Sequence, residues 1–108
     1  MEIKRGTTPI ISVRFKGLDE DEEIVSAQFV FKQICSEDAP VLLRKCWPGE
    51  AVRGENGLFK LPFSEKETRL FEAGRYVYLD ARLCLDGGGV AAAPVAALMV
   101  RPTLFAEE

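Results

Sequence analysis

The sequence predicts an all-β fold, an immunoglobulin-like antiparallel β-sandwich with one short crossover helix. Apolar and polar residues alternate along most of the chain, which is the period of a half-buried strand. Turn signals separate these stretches about every ten residues. Only one helix-start signal interrupts them, whereas a parallel α/β sheet would need repeated strand–helix units. With 108 residues, 47% hydrophobic and 29% charged, the chain has the size and composition of one globular domain, residues 1–108.

Four strands are predicted before the helix. The first two lie at residues 11–15 and 25–31, where Ile, Val, Ala and Phe alternate with more polar side chains. A third is predicted over residues 41–47, because a Pro-Gly pair follows and stops it. A fourth is predicted over residues 58–63, since the Asn-Gly pair before it favours the positive φ of a tight turn.

A single helix is predicted after the fourth strand. Ser64 and Glu67 match the capping-box pattern, in which the hydroxyl and the carboxylate each accept from an otherwise unpaired backbone N–H. Gly74 is predicted to end the helix in a left-handed conformation, which gives it about nine residues. So short a helix depends on tertiary packing, and we expect it to link two strands.

The fifth strand, over residues 76–83, has a polar face that is unusual for a plain monomer. Alternation turns Val77 and Leu79 toward the core, whereas a competing similarity of residues 72–76 to a tyrosine corner would turn Tyr76 inward. The outward side chains are Tyr76, Tyr78, Asp80 and Arg82. Aromatic residues and Arg are enriched at interface centres, so these four are candidate contacts, although an ordinary solvated sheet face is the alternative.

The sixth strand, over residues 90–100, consists mostly of small residues, and Pro94 marks it as an edge strand or a bulge. Two placements are open: an edge that another subunit covers, or a central strand of this chain. Leu104 and Phe105 follow in an apolar tail, which we expect to be buried against another surface.

The composition gives no support to catalysis or metal binding. The chain has no histidine, which excludes Ser-His-Asp and Cys-His catalysis and every His-containing metal site. Its three cysteines, Cys35, Cys46 and Cys84, have no CxxC spacing and are expected to be reduced. We therefore expect no enzyme activity, no metal and no cofactor.

Charge and hydropathy restrict the possible partners. The net charge is −3, so a nucleic-acid partner is not expected. Five consecutive carboxylates, residues 19–23, account for more than this charge, and without them the rest of the chain carries +2. We interpret this acidic run as a solvated loop, with a calcium site or a docking patch for a basic partner as alternatives. Because we recognise no signal peptide and no membrane span, we expect a soluble protein.

Several segments resemble, in order along the chain, a family of phage proteins. Residues 1–9 (Met-Glu-Ile-Lys-Arg-Gly-Thr-Thr-Pro) are similar to the opening of small structural proteins from phages and prophages of Gram-positive bacteria. Residues 27–33, 64–68 and 76–83 resemble that family's second strand, helical link and alternating strand. The family in turn resembles the N-terminal domain of the upper baseplate protein of siphophages.

This resemblance implies an immunoglobulin-like β-sandwich with a role in virion assembly and no catalytic residue. It implies a baseplate or tail component that forms a homo-oligomer and docks with other phage structural proteins. Its location would be the host bacterial cytoplasm during assembly, and then the virion. Arg5, Thr7, Thr8 and Pro9 lie in the most specific segment and join the fifth-strand residues as candidate contacts. The alternative is a carbohydrate-binding module that uses an exposed Trp47 and the tyrosines as stacking platforms.

Overall fold

The computed structural model describes residues 2–18 and 23–106, and within them the chain forms eight strands and one short helix. Most of the acidic run, residues 19–22, lies outside the described residues. The elements in chain order are β1 (Glu2–Lys4), β2 (Ile10–Arg14), β3 (Ile24–Lys32), β4 (Leu43–Trp47), β5 (Val52–Arg53), β6 (Leu58–Pro62), α1 (Glu65–Thr68), β7 (Tyr76–Leu85) and β8 (Val90–Arg101).

The strands form two sheets, and the predicted all-β class is confirmed. One sheet has five strands in the order β1-β8-β7-β3-β4, and the other has three in the order β2-β6-β5. The described pairs are antiparallel except for β1 with β8, which run parallel. The prediction of an antiparallel sandwich is therefore wrong for this one pair, whose β1 was not among the predicted strands, because no hairpin joins β1 to β8 and nothing local sets their relative direction.

The two sheets pack face to face around an aromatic core. Phe29 of β3 packs against both Phe15 and Phe59, with ring centroids 6.3 and 5.7 Å away, and these two rings also contact each other at 5.8 Å. Phe31 meets Phe63 edge to face at 5.2 Å. These contacts run from the five-stranded sheet to the opposite layer, so aromatic packing joins the two sheets.

Alternation along β7 decides which of its side chains face this core. The inward residues Val77, Leu79, Ala81 and Leu83 are all buried, as predicted. Tyr76 is 48% exposed and so does not turn inward as a tyrosine corner would. The longer pattern therefore outweighs the local similarity, because every second residue of the strand must fit the same buried layer.

The helix begins as predicted but is much shorter. Its capping box is present: the Ser64 hydroxyl accepts from the Glu67 N–H, and the Glu67 carboxylate accepts from the Ser64 N–H at 2.8 Å. However, α1 has four residues instead of about nine, and Arg69 is its C-cap. After the helix the chain turns so that Phe71 is buried in the core, where it is 1% exposed.

Gly74 does not cap the helix, although its φ of +80° is left-handed as predicted. Its N–H donates to the carbonyl of Val100 at 2.8 Å, so this glycine joins β8 at the start of β7. The apolar tail is not buried within the described chain, and its burial against another surface stays a prediction. Leu104 and Phe105 are 103% and 78% exposed, because no described part of the chain folds over them.

Candidate functional site

The four outward residues of β7 lie together on the solvent-facing side of the five-stranded sheet, which we call the outer face. Asp80 and Arg82 are exposed, and Tyr78 is half-buried. The rings of Tyr76 and Tyr78 lie 6.4 Å apart with an interplanar angle of 38°. The strand therefore presents an aromatic pair at one end and two charged groups toward the other.

Neighbouring strands extend the outer face beyond β7. The β3 register places Val30 opposite Asp80 and Gln28 opposite Arg82. Arg44 of β4 lies opposite Val30 on its other side. A depression of about 380 Å³ is lined by these residues, and a second of about 450 Å³ adjoins it and shares Val30 and Asp80. The outer face is therefore concave at its centre.

Basic groups dominate this concavity. The Lys32 ammonium donates to the carbonyls of Ser36 and Glu37, at 3.2 and 2.9 Å. The guanidinium groups of Arg44 and Arg82 make no hydrogen bond or ion pair with any residue that the structure describes. Their donors are therefore free to bind a group from outside.

The eighth strand is central at one end and an edge at the other. β1 pairs only with residues 99–101, where the Arg5 N–H also donates to the Arg101 carbonyl at 3.0 Å. Residues 90–98 pair with β7 on one side and with no described strand on the other. We call this open side the β8 edge. Both placements left open by the sequence therefore apply, each to a different part of the strand.

The backbone directions along the β8 edge follow from two hydrogen bonds. Arg101 directs its carbonyl toward β1. Because the backbone N–H and C=O groups of successive residues point to alternate sides of a strand, those of Ala97 also point away from β7. At the other end, the Gly89 carbonyl accepts from the Leu85 N–H of β7. By the same alternation, the backbone groups of Ala92 and Pro94 point away from β7. Pro94 therefore lies where its missing N–H removes no bond to β7, as proline requires within a strand.

The β8 edge adjoins a gap between the sheets. The register with β7 shifts between Leu79 and Ala81, which leaves an irregularity near Pro94. Ala96 lies opposite the inward Leu79, yet it is exposed, because the smaller sheet does not reach over it. A groove of about 190 Å³ runs here between β8 and Ile11 of β2.

The candidate residues near the start of the chain lie in the crossover from β1 to β2, away from the outer face. The Arg5 guanidinium donates to the Arg69 carbonyl at 3.2 Å, and Thr68 donates to the Thr7 carbonyl at 3.1 Å. Pro9 accepts from the Phe63 N–H, and Thr8 is exposed. The structure therefore does not bring this segment together with the β7 residues.

An ion pair that the sequence analysis missed lies on the inner side of β4. Lys45 is 2% exposed, and its ammonium donates to both Glu67 carboxylate oxygens at 3.1 and 2.9 Å. It also lies 4.9 Å from the centre of the Phe63 ring. Burial alone would raise the pKa of Glu67, but hydrogen bonds from Lys45 and from the Ser64 N–H together lower it. The signal available in the sequence was a lysine at an inward position of the third predicted strand, which is β4 in the structure.

Trp47 does not form the stacking platform of the carbohydrate alternative. It is half-buried and packs edge-on against Phe59, with ring centroids 5.8 Å apart. The guanidinium carbon of Arg53 lies 5.1 Å from the centre of the Trp47 ring. The prediction of an exposed Trp47 is therefore wrong, because the indole packs against the core and Arg53 covers its ring.

Among the described residues, no group of three or more His, Cys, Asp or Glu side chains is arranged to hold a metal ion. All three cysteines are free, and Cys35 is exposed. In the part of the chain that the structure covers, no helix has the length and apolar character needed to cross a membrane.

No family model matches this chain, and no curated protein matches it at a significant level. The resemblance to phage structural proteins therefore stays a prediction from the sequence.

Proposed function

We propose that this chain is a non-enzymatic structural protein of a phage or prophage, a baseplate or tail component that acts by oligomerisation and docking. The two sheets are then an immunoglobulin-like β-sandwich. The protein assembles in the host bacterial cytoplasm and is carried in the virion. The resemblance of residues 1–9 and the later segments supports the phage assignment.

The β8 edge is the observation that carries the proposed self-association. Unpaired backbone groups at a sheet edge are a template for another strand. Here the edge covers residues 90–98, most of a twelve-residue strand. Its side chains are small, so a second backbone can approach closely. Val95, 53% exposed, adds apolar surface that pairing would partly cover.

The occupant of the β8 edge is a second copy of this chain. Antiparallel pairing of β8 with its counterpart uses the same surface on both subunits, as a two-fold interface requires. It joins the two five-stranded sheets into one continuous sheet. The outer faces of both subunits remain open in this arrangement, and there the proposed docking with other structural proteins takes place.

Light scattering on the full chain over a wide range of concentration tests the self-association. We expect a mass above that of the monomer, increasing with concentration. Ala97→Pro should return the chain to monomers, because it removes an N–H from the β8 edge without removing a bond to β7. Val95→Lys should do the same, since lysine on an edge strand opposes pairing.

Val52→Lys is the matched control, because Val52 is 57% exposed but lies on β5, far from the β8 edge. It should leave the oligomer intact. A wild-type chain that is monomeric throughout would contradict the proposed self-association. Equal effects of Val95→Lys and Val52→Lys would contradict the assignment to β8.

A further inference from the structure

We propose that the outer face binds an extended acidic segment of a partner protein, with Arg44 and Arg82 holding its carboxylates. This inference rests on the proposed docking function and deepens it, because it names the chemistry of the docking partner. It is independent of self-association, which uses the β8 edge.

Charge is the first reason for an acidic partner. Three cationic residues, Lys32, Arg44 and Arg82, line the central depression with one carboxylate, Asp80, which leaves a local excess of +2 in a chain of net charge −3. One oxygen of Asp80 already accepts from the Ala81 N–H at 2.9 Å. The two guanidinium groups have no ion-pair partner in the described chain. Each can therefore bind a carboxylate through two parallel hydrogen bonds.

The shape of the depression favours an extended segment over a small anion. Val30 lies opposite Arg44 on one side and Asp80 on the other, Arg82 follows two residues after Asp80, and Val41 and Val90 also line the depression. β3 separates β4 from β7, and Arg82 is offset from Arg44 by two residues along the strands. The two residues therefore stand about 12 Å apart. A single carboxylate does not span that distance. In an extended peptide, alternate side chains face the same way, so two acidic residues can flank an apolar one above Val30.

Fluorescence anisotropy with the full chain tests this inference. The probe is a labelled peptide of sequence Glu-Ser-Glu-Ser-Val-Ser-Glu-Ser-Glu, in which alternate positions place carboxylates on either side of the valine. We expect saturable binding that weakens as salt is added. The variant Arg44→Gln/Arg82→Gln should bind at least about tenfold more weakly, because two charge-assisted contacts are lost.

Two controls separate specific binding from general charge attraction. Arg14→Gln/Lys60→Gln removes the same charge from exposed positions of β2 and β6 in the other sheet, and should change binding by less than about twofold. A peptide with Lys in place of every Glu should not bind. Equal losses in the two double variants, or equal binding of the Lys peptide, would overturn the inference.

Other occupants of the outer face give different results. An acidic oligosaccharide such as oligogalacturonate should not displace the peptide at lower concentration, since it has no apolar side chain to place on Val30; if it does, the inference is wrong. Loss of self-association in Arg44→Gln/Arg82→Gln would make a second copy the occupant and would also overturn the inference.

The two proposals fail separately. A chain that self-associates but does not bind the peptide refutes this inference alone, whereas a monomeric chain that binds the peptide refutes only the β8 pairing.

Discussion

Arg44 and Lys45 are adjacent residues of β4, yet their charges have opposite surroundings. Lys45 points between the sheets, where Glu67 and the Phe63 ring surround its ammonium. Arg44 points to the outer face, where it is exposed and has no partner within the described residues. The alternation of the strand alone separates them, because successive side chains point to opposite sides of a sheet.

The difference shows how this chain distributes its charge between stability and binding. A cation buried without an anion is costly, so the inner charge is neutralised by a residue of the same chain. An exposed cation keeps its hydration and needs no internal partner. Charged side chains on the outer face can therefore stay unpaired within the chain and bind another molecule, whereas a charged side chain between the sheets cannot. The following changes test that distinction.

Glu67→Ala should have the largest effect on stability, lowering the free energy of unfolding by about 3 kcal/mol. It leaves the buried Lys45 ammonium unpaired and removes half of the capping box. Urea unfolding measures the loss. Glu65→Ala, in the same turn but exposed, is the matched control and should cost much less.

A second variant identifies the reason for this loss. Lys45→Met/Glu67→Gln removes the charges together and should recover much of the stability, since a buried pair is often replaceable by uncharged residues. If Glu67→Ala costs no more than Glu65→Ala, the ion pair does not hold α1 to β4 and the comparison fails.

The same pair predicts a pH dependence of intermediate size. Glu67 has a folded pKa below its usual 4.5, so the unfolded chain takes up its proton first as the pH falls. Its contribution to stability is therefore complete above about pH 4.5 and is lost progressively below it. The measurement is the difference in unfolding free energy between wild type and Glu67→Gln from neutral to acidic pH. Identical pH profiles for the two proteins would show that the pair contributes nothing there.

Tyr78→Ala/Arg82→Ala should have the smallest effect on stability and a large one on docking. Arg82 is exposed and Tyr78 half-buried, so we expect a change in unfolding free energy within about 1 kcal/mol. Calorimetry should show a nearly unchanged melt, while binding of the acidic peptide weakens. A melt lowered as much as in Glu67→Ala would instead place these residues in the core.

Local pattern predicted the parts of the fold that one strand or one turn decides by itself. Alternation located β3 and β7, because burial on one side repeats every second residue. The capping box located the start of α1, because both of its bonds lie within four residues. The outward orientation of the β7 side chains was predicted to the same extent, whereas their role as contacts stays a prediction.

The remaining features depend on residues far away in sequence. The three residues of β1 form a strand only because residues 99–101 pair with them. The early end of α1, at the Arg69 C-cap, is not marked by a local stop signal. The contribution of Arg44 to the outer face required the register of β3 with β4, which no pattern within either strand provides.

The pairing of β1 with β8 also has a consequence for folding. Glu2 and Arg101 are 99 residues apart in sequence, yet their side chains form a hydrogen-bonded ion pair at 2.6 Å. Closing so long a loop costs chain entropy before any contact forms, and such distant pairings slow folding. β1 should therefore join the sheet late. Until it does, the open edge of the last strand extends through Arg101, so the tendency toward edge-to-edge aggregation is greatest in a nearly folded intermediate.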